Sequence, residues 1–326
     1  MQFHEIVASE IERLKPLWLS LHHHHKSVAP QLAPFVDDET SWANRKRQYA
    51  EVFAGEYFGN IASIDGKDVG YLICAKRPMQ WQATFAIPSM LWELVTIVVV
   101  PEQRGKGVGK LLLDAMDDHI QTSDSQTQLI GVIPNNEQAV SLYKRRGLVP
   151  GWIILTRFQR TVLVPSRVHS SVITGIAGED DMEFLKPLWI SLHHHHQMVS
   201  PHLGPWVDDE KSWSIIREMF AKSARDGLLL IARDADEAVG LASLAIFDMN
   251  DSPMWTDTLI TDDLVAETKF LVVCDGVRGK GIGTALMAAV DAELARRGVR
   301  DHFIGAIAPN ANAIRFINRW DMSRHG

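Results

Sequence analysis

The chain has 326 residues, 46% hydrophobic and 22% charged, a globular composition with enough apolar material for two cores. Its formal net charge of −7 argues against a nucleic-acid partner, no apolar run reaches the roughly 20 residues of a membrane helix, and two cysteines, Cys74 and Cys274, fall short of a disulfide framework. The opening MQFHEIVASE is charged where a secretion signal needs apolar residues, so the expected setting is the reducing cytoplasm.

From the N-terminus, a short strand leads into a helix with Leu14, Leu17, Trp18 and Leu21 at helical spacing, and this helix runs into four histidines at 22–25. A proline-broken loop follows, and a second helix starts at DDE (37–39), acidic residues that complement a helix dipole. Strands are expected around GNIASID (59–65) and DVGYLICAK (68–76), then an apolar strand ELVTIVVVP (93–101). A glycine-rich turn opens the helix VGKLLLDAMDDHI (108–120). The strand QLIGVIP (128–134), the helix NEQAVSLYKRRG (136–147) and the strand GWIILTRF (151–158) complete the unit.

The chain then repeats itself. LKPLWLSLHHHH at 14–25 recurs as LKPLWISLHHHH at 185–196, VAPQLAPFVDDETSW at 28–42 as VSPHLGPWVDDEKSW at 199–213, and RGKGVG at 104–109 as RGKGIG at 278–283. A period of this length means duplicated domains, because solenoid repeats run at roughly 20–50 residues. Two tandem domains, 1–165 and 166–326, are expected, with the boundary near VLVPSRVHSS (162–171). The element order gives an α/β fold, a mixed sheet with helices on both faces in each domain.

In VVVPEQRGKGVGKLL, a strand, a turn and a helix start bring several backbone N–H groups to the positive end of a helix dipole. Arg104, Lys106 and Lys110 add positive charge, so a pyrophosphate is the expected occupant. The G-x-G-x-G spacing is not the dinucleotide fingerprint, and Leu111 after Lys110 breaks the P-loop pattern. The other reading is a helix N-terminus whose glycines serve packing alone.

RGKGVG and RGKGIG resemble the R/Q-x-x-G-x-G/A pyrophosphate loop of the GNAT superfamily of acetyl-CoA-dependent N-acetyltransferases, and NEQAVSLYKRRG resembles that family's N-x-x-A-x-x-L-Y-x-x-x-G segment. The resemblance covers essentially the whole chain as two domains in tandem. It implies that each sheet splays at its centre and that acetyl-CoA, the cosubstrate, lies in the gap. The pairing strand would contribute Val98, Val99 and Val100, and the loop Arg104, Gly105, Lys106, Gly107, Val108, Gly109 and Lys110 would hold the pyrophosphate. Asn136 would contact the pantetheine arm. In the second copy the matching positions are Val272, Val273 and Cys274, then Arg278, Gly279, Lys280, Gly281, Ile282, Gly283 and Thr284, and Asn310.

Acetyl transfer to an amine needs a base, because a lysine-like amine is protonated below a pKa of about 10.4, and a proton donor eases thiolate departure. The resemblance makes Glu93 the base and Tyr143 the acid; a solvated strand end and a buried helix tyrosine are the alternatives. In the second copy Glu267 matches Glu93, but Ile317 stands opposite Tyr143 and Asp321 opposite Gly147, and nothing corresponds to GWIILTRF. That half is expected to keep the cofactor loop and to be catalytically impaired.

Of the four histidines only His22 and His25 share a helix face. They lie on the acceptor side if the resemblance holds, as substrate-site imidazoles or as a capped helix end. A third ligand with metal-site spacing is missing, so no metal is expected. The expected activity is an N-acetyltransferase acting on a small-molecule amine, with no nucleic-acid or membrane partner. The alternative is an acyl-CoA-binding sensor without turnover. Neither the acceptor's identity nor the oligomeric state is legible in the sequence.

Overall fold

A computed structural model of the chain describes residues 1–78, 83–86, 89–158, 172–249, 255–320 and 323–325. It forms two compact units, and each takes a segment from the other repeat. The first comprises Met1–Gln80, Ile87–Arg146 and Pro253–Ile260; the second comprises Trp81–Ala86, Gly147–Ser252 and Thr261–Gly326. The boundary expected at 162–171 lies outside the described residues.

The first unit runs β1 (Gln2–Glu5), α1 (Lys15–Val28), α2 (Asp38–Phe53), β2 (Tyr57–Ile64), β3 (Lys67–Pro78), β4 (Met90–Val99), α3 (Val108–Gln121), β5 (Gln128–Ile130) and α4 (Glu137–Arg145). Its five strands lie in the order β1-β2-β3-β4-β5. The β1–β4 pairs are antiparallel and β4–β5 is parallel. Helix α2 starts where Asp37 caps it, its side chain accepting from the Thr40 N–H at 2.9 Å, so the acidic cluster does serve a helix start. Helices α1 and α2 bury Leu17, Trp18, Trp42 and Tyr49 against one face of the sheet, with Tyr71, Ile73 and Val98. Helix α3 turns Val108, Leu112, Leu113, Met116 and Ile120 inward, a single stripe at helical spacing.

The second unit contains β6 (Trp152–Arg157), β7 (Ile173–Ile176), α5 (Met182–Val199), α6 (Asp209–Arg225), β8 (Leu229–Asp234), β9 (Glu237–Asp248), β10 (Leu264–Val273), α7 (Ile282–Arg296), β11 (Asp301–Ile307), α8 (Ala311–Asn318) and β12 (Ser323–His325). Its seven strands lie in the order β12-β6-β11-β10-β9-β8-β7. Among the described residues no helix is long and apolar enough to cross a membrane.

One strand departs from the sequence reading, which gave GWIILTRF to the first repeat and left the second without a matching strand. The structure pairs Trp152–Arg157 antiparallel with β11 and with β12, so β6 sits inside the second sheet. The physical reason lies in the side chains. Leu155 is fully buried with Ile304, Ala306, Ile314 and Ile317, and the Arg157 guanidinium pairs with the buried Asp291, which also accepts from Trp320 Nε1 at 2.8 Å. A fully buried charge is costly without such a partner, so Arg157 fixes both placement and register.

Candidate functional site

In the first unit β4 and β5 pair only from Trp92↔Gln128 to Leu94↔Ile130, while β4 continues to Val99. Beyond Leu94, β4 has no strand partner on the side away from β3 among the described residues, which leaves a free strand edge along Val99. The second unit repeats this: β10 pairs with β11 from Val265 to Thr268 and then runs on to Val273. Both strands also kink at the same place. The register slips at Val95 against β3 and at Lys269 against β9. A bulge here re-aims the strand next to the gap, a signal that residue patterning does not carry.

At the far end of β4 the chain passes a short turn at Pro101–Gln103 and enters the glycine loop. Gly105 and Gly107 have φ of 73° and 87°, in the left-handed region that glycine adopts without strain. Gly107 starts α3, and no side chain caps its first-turn N–H groups, which have no partner within the helix. Gly279 and Gly281 repeat the turn at 82° and 84°, and Gly281 starts α7, again uncapped. Arg104 Nε donates to Val99 O at 3.0 Å and Arg278 Nε to Val273 O at 3.2 Å, tying each loop to its open strand. An uncapped helix start beside an open strand edge suits a ligand with a phosphate end and an amide-bearing arm. Lys110 leans on Asp114 at 2.6 Å.

Asn136 caps α4 by accepting from the Ala139 N–H at 3.3 Å, and Asn310 caps α8 likewise at 3.1 Å. Each amide therefore has a structural duty. Tyr143 is buried on α4, and desolvation pushes its phenol up to about 12. Its counterpart Ile317 belongs to the core cluster that holds β6.

The four histidines do four different things. His22 is fully buried with Nε2 on Val36 O at 3.2 Å, holding the loop before α2. His23 meets the Asp38 carboxylate at 2.9 Å. His24 stands 3.4 Å from Arg104 and hydrogen-bonds Asn136, so the structure joins it to two expected cofactor residues. His25 packs edge-on to Trp18, and burial, reinforced by the Arg45 charge, lowers it to about 3, so it is neutral. His193 and His194 repeat the first two roles on Val207 O and Asp209. Among the described residues no group of three His, Cys, Asp or Glu side chains could hold a metal ion.

Glu93 and Thr96 lie on the same face of β4, opposite Ala75 and Ile73 on β3, because the bulge takes up the odd residue between them. Burial raises Glu93 above its usual range, and Arg77, 3.6 Å away, and Arg45 oppose that rise. Above this face Arg45 lies 4.0 Å over the Trp18 ring, pairs with Asp257 and reaches Thr96 Oγ1 at 3.5 Å. Tyr49 O–H stands 2.7 Å from both Thr96 Oγ1 and Tyr71 O–H.

The second unit keeps the scaffold and changes this chemistry. Trp18 Nε1 donates to Ser41 Oγ at 2.9 Å and Ser41 Oγ to Asp257 O at 2.6 Å; Trp189 Nε1 donates to Ser212 Oγ at 2.8 Å and Ser212 Oγ to Ala83 O. Yet Ile216, Phe220, Leu241, Phe270 and Ala83 occupy the positions of Arg45, Tyr49, Tyr71, Thr96 and Asp257; four of them belong to one apolar core cluster and Phe270 packs against it. Trp189, Phe220 and Phe270 pack with centroids 5.0–6.0 Å apart. Glu267, the counterpart of Glu93, is paired with Lys269 at 2.5 Å. Sequence reasoning passed over Arg45, Tyr49, Tyr71, Thr96 and Asp257. Comparison of the repeats carried the signal, since these polar residues face apolar ones within otherwise matching segments.

The chain matches the acetyltransferase (GNAT) family twice, over residues 18–148 and 189–321, and it belongs to that family as a tandem two-domain member. It is thus an acyltransferase, and family membership implies an acyl-CoA donor. Its fold is similar to that of a GCN5-related N-acetyltransferase from Sphaerobacter thermophilus, at 15% identity and a TM-score of 0.59 over 99% of this chain and 92% of the other. It is also similar to the glucosamine N-acetyltransferase region of a fungal multi-domain GH3 β-N-acetylglucosaminidase, at 15% identity and a TM-score of 0.52 over 93% of this chain and 35% of the other. A tandem GNAT protein of the clavulanic acid biosynthesis pathway aligns over 99% of this chain and 95% of its own, at 16% identity and a TM-score of 0.47. No curated protein sequence matches.

Proposed function

We propose that the first unit moves an acetyl group from acetyl-CoA to the amine of a small molecule, while the second binds the donor without turnover. Acetyl-CoA supplies the activated thioester. Val98 to Val100 would flank its arm, Arg104 to Lys110 would hold its pyrophosphate, and Asn136 would adjoin the arm. The matching residues from Val272 to Cys274, from Arg278 to Thr284, and Asn310 would hold it in the second unit.

In this reading Glu93 takes the proton that the attacking amine loses, directly or through a water. Its raised pKa suits that task, because a stronger base accepts the proton more readily. Main-chain N–H groups at the Val95 kink are the candidate donors to the developing oxyanion. Tyr143, held protonated by burial, returns a proton to the departing sulfur. His25 is a neutral wall residue on the acceptor side rather than a base, while His22, fully buried on Val36 O, holds the loop before α2.

The observation that carries the assignment is the contrast between the two glutamates. Glu93 borders polar groups, with Arg77 3.6 Å away and burial raising it, whereas Glu267 is paired with Lys269 at 2.5 Å beside an apolar cluster. A non-catalytic acyl-CoA sensor is favoured for the second unit alone, on the same contrast. The test is the pH–rate profile of acetyl transfer to a panel of small amines. Glu93→Gln is expected to remove the acid limb of kcat/KM and to slow turnover about 10²-fold or more. An unchanged profile excludes Glu93 as the base.

A further inference from the structure

A buried ion pair is an expensive way to fill a core, and well-packed hydrocarbon often does as well or better. This protein contains its own comparison. The second unit folds with Ile216 and Ala83 where the first has Arg45 and Asp257, on the same Trp–Ser–carbonyl scaffold. Packing therefore does not require the pair. Asp257 is only 3% exposed and stands in the 253–260 segment, the part of the first unit that the second repeat contributes.

The pair lies over the reacting face. Arg45 bonds Thr96, and Thr96 shares its face of β4 with Glu93. The charges that act on Glu93 are Arg77 on β3 and Arg45 on α2, and around Arg45 stand Asp257, Tyr49, Tyr71 on β3 and His25 on α1. Tyr49 and Tyr71 are raised by burial and His25 is neutral, so near pH 7 the charge that opposes Arg45 is Asp257. An uncompensated Arg45 would favour the carboxylate and weaken it as a base.

Resting on the reading of Glu93 as the base, we propose that Asp257 is a positioning residue supplied by the second repeat: by pairing with Arg45 beside Thr96 it offsets the pull of that cation on Glu93, the base that acetyl transfer needs. The second repeat thus contributes to the first unit's chemistry without touching the reacting atoms.

The experiment is the acid limb of kcat/KM in full-length variants, with Glu93→Gln measured alongside. Asp257→Asn leaves Arg45 charged, so the limb moves down by roughly half to one pH unit. Arg45→Ile moves it up, and the double variant Arg45→Ile with Asp257→Ala, which carries the second unit's own residues, returns it to the wild-type position. If Asp257→Asn does not fold, the Arg45→Ile shift and its reversal in the double variant decide the matter. Single variants that lower kcat with the limb fixed, or that move it the same way, overturn the proposal while a limb abolished by Glu93→Gln keeps the base assignment. A limb that survives Glu93→Gln overturns both.

Discussion

Tyr143 and Ile317 show how one residue can divide two similar units. Both are buried on the helix that follows the parallel strand, but the phenol offers a proton and the isoleucine offers only packing. Tyr143→Phe keeps the ring and its contacts. It is therefore expected to lower kcat by roughly 10- to 1,000-fold with KM for acetyl-CoA nearly unchanged, as steady-state kinetics would show. Full activity in that variant removes Tyr143 from the mechanism. Tyr143 was legible as a candidate from a known motif, and Glu93 as one from its place at the start of an apolar strand. Arg45 and Asp257 were not, since each looks like an ordinary surface charge on a linear reading, and only the fold brings them together over 200 residues of chain. His24 was hidden differently: helical geometry separates it from His22 and His25, and its partners come from two distant loops.

At the scale of elements, hydrophobic periodicity located almost every helix and strand, because each buries one face on its own sheet. It did not say which sheet β6 would join. An apolar run such as WIIL fits any sheet with an open edge, and the choice is made by long-range partners such as Asp291 and Ile304. Arg157→Leu tests this. It leaves the Asp291 carboxylate buried with Trp320 as its hydrogen-bond partner, and urea denaturation is expected to show a loss of about 3–5 kcal/mol. A loss under about 1 kcal/mol would mean that apolar contacts at Leu155 place the strand without the ion pair. The kinks at Val95 and Lys269 were likewise invisible, because a bulge costs one residue of register and leaves composition untouched.

At the scale of the molecule, both units keep an uncapped helix start and an open strand edge, while only the first keeps the polar cluster of Arg45, Tyr49, Tyr71, Thr96 and Asp257. Gly281→Glu puts a carboxylate and a side chain into a turn with φ of 84°, where glycine is at ease. Calorimetry is expected to show two acetyl-CoA sites in the parent and one in this variant, with turnover largely retained; two sites in the variant would remove the second loop from donor binding. The exchange of segments also orders events in time. Arg45 leaves the ribosome long before Asp257, so the first unit carries an unmatched cation while most of the second repeat is still being made. At roughly 5–20 residues per second that interval is on the order of ten seconds. The half that reads first in the gene therefore completes itself only once the second repeat has been made as far as Ile260.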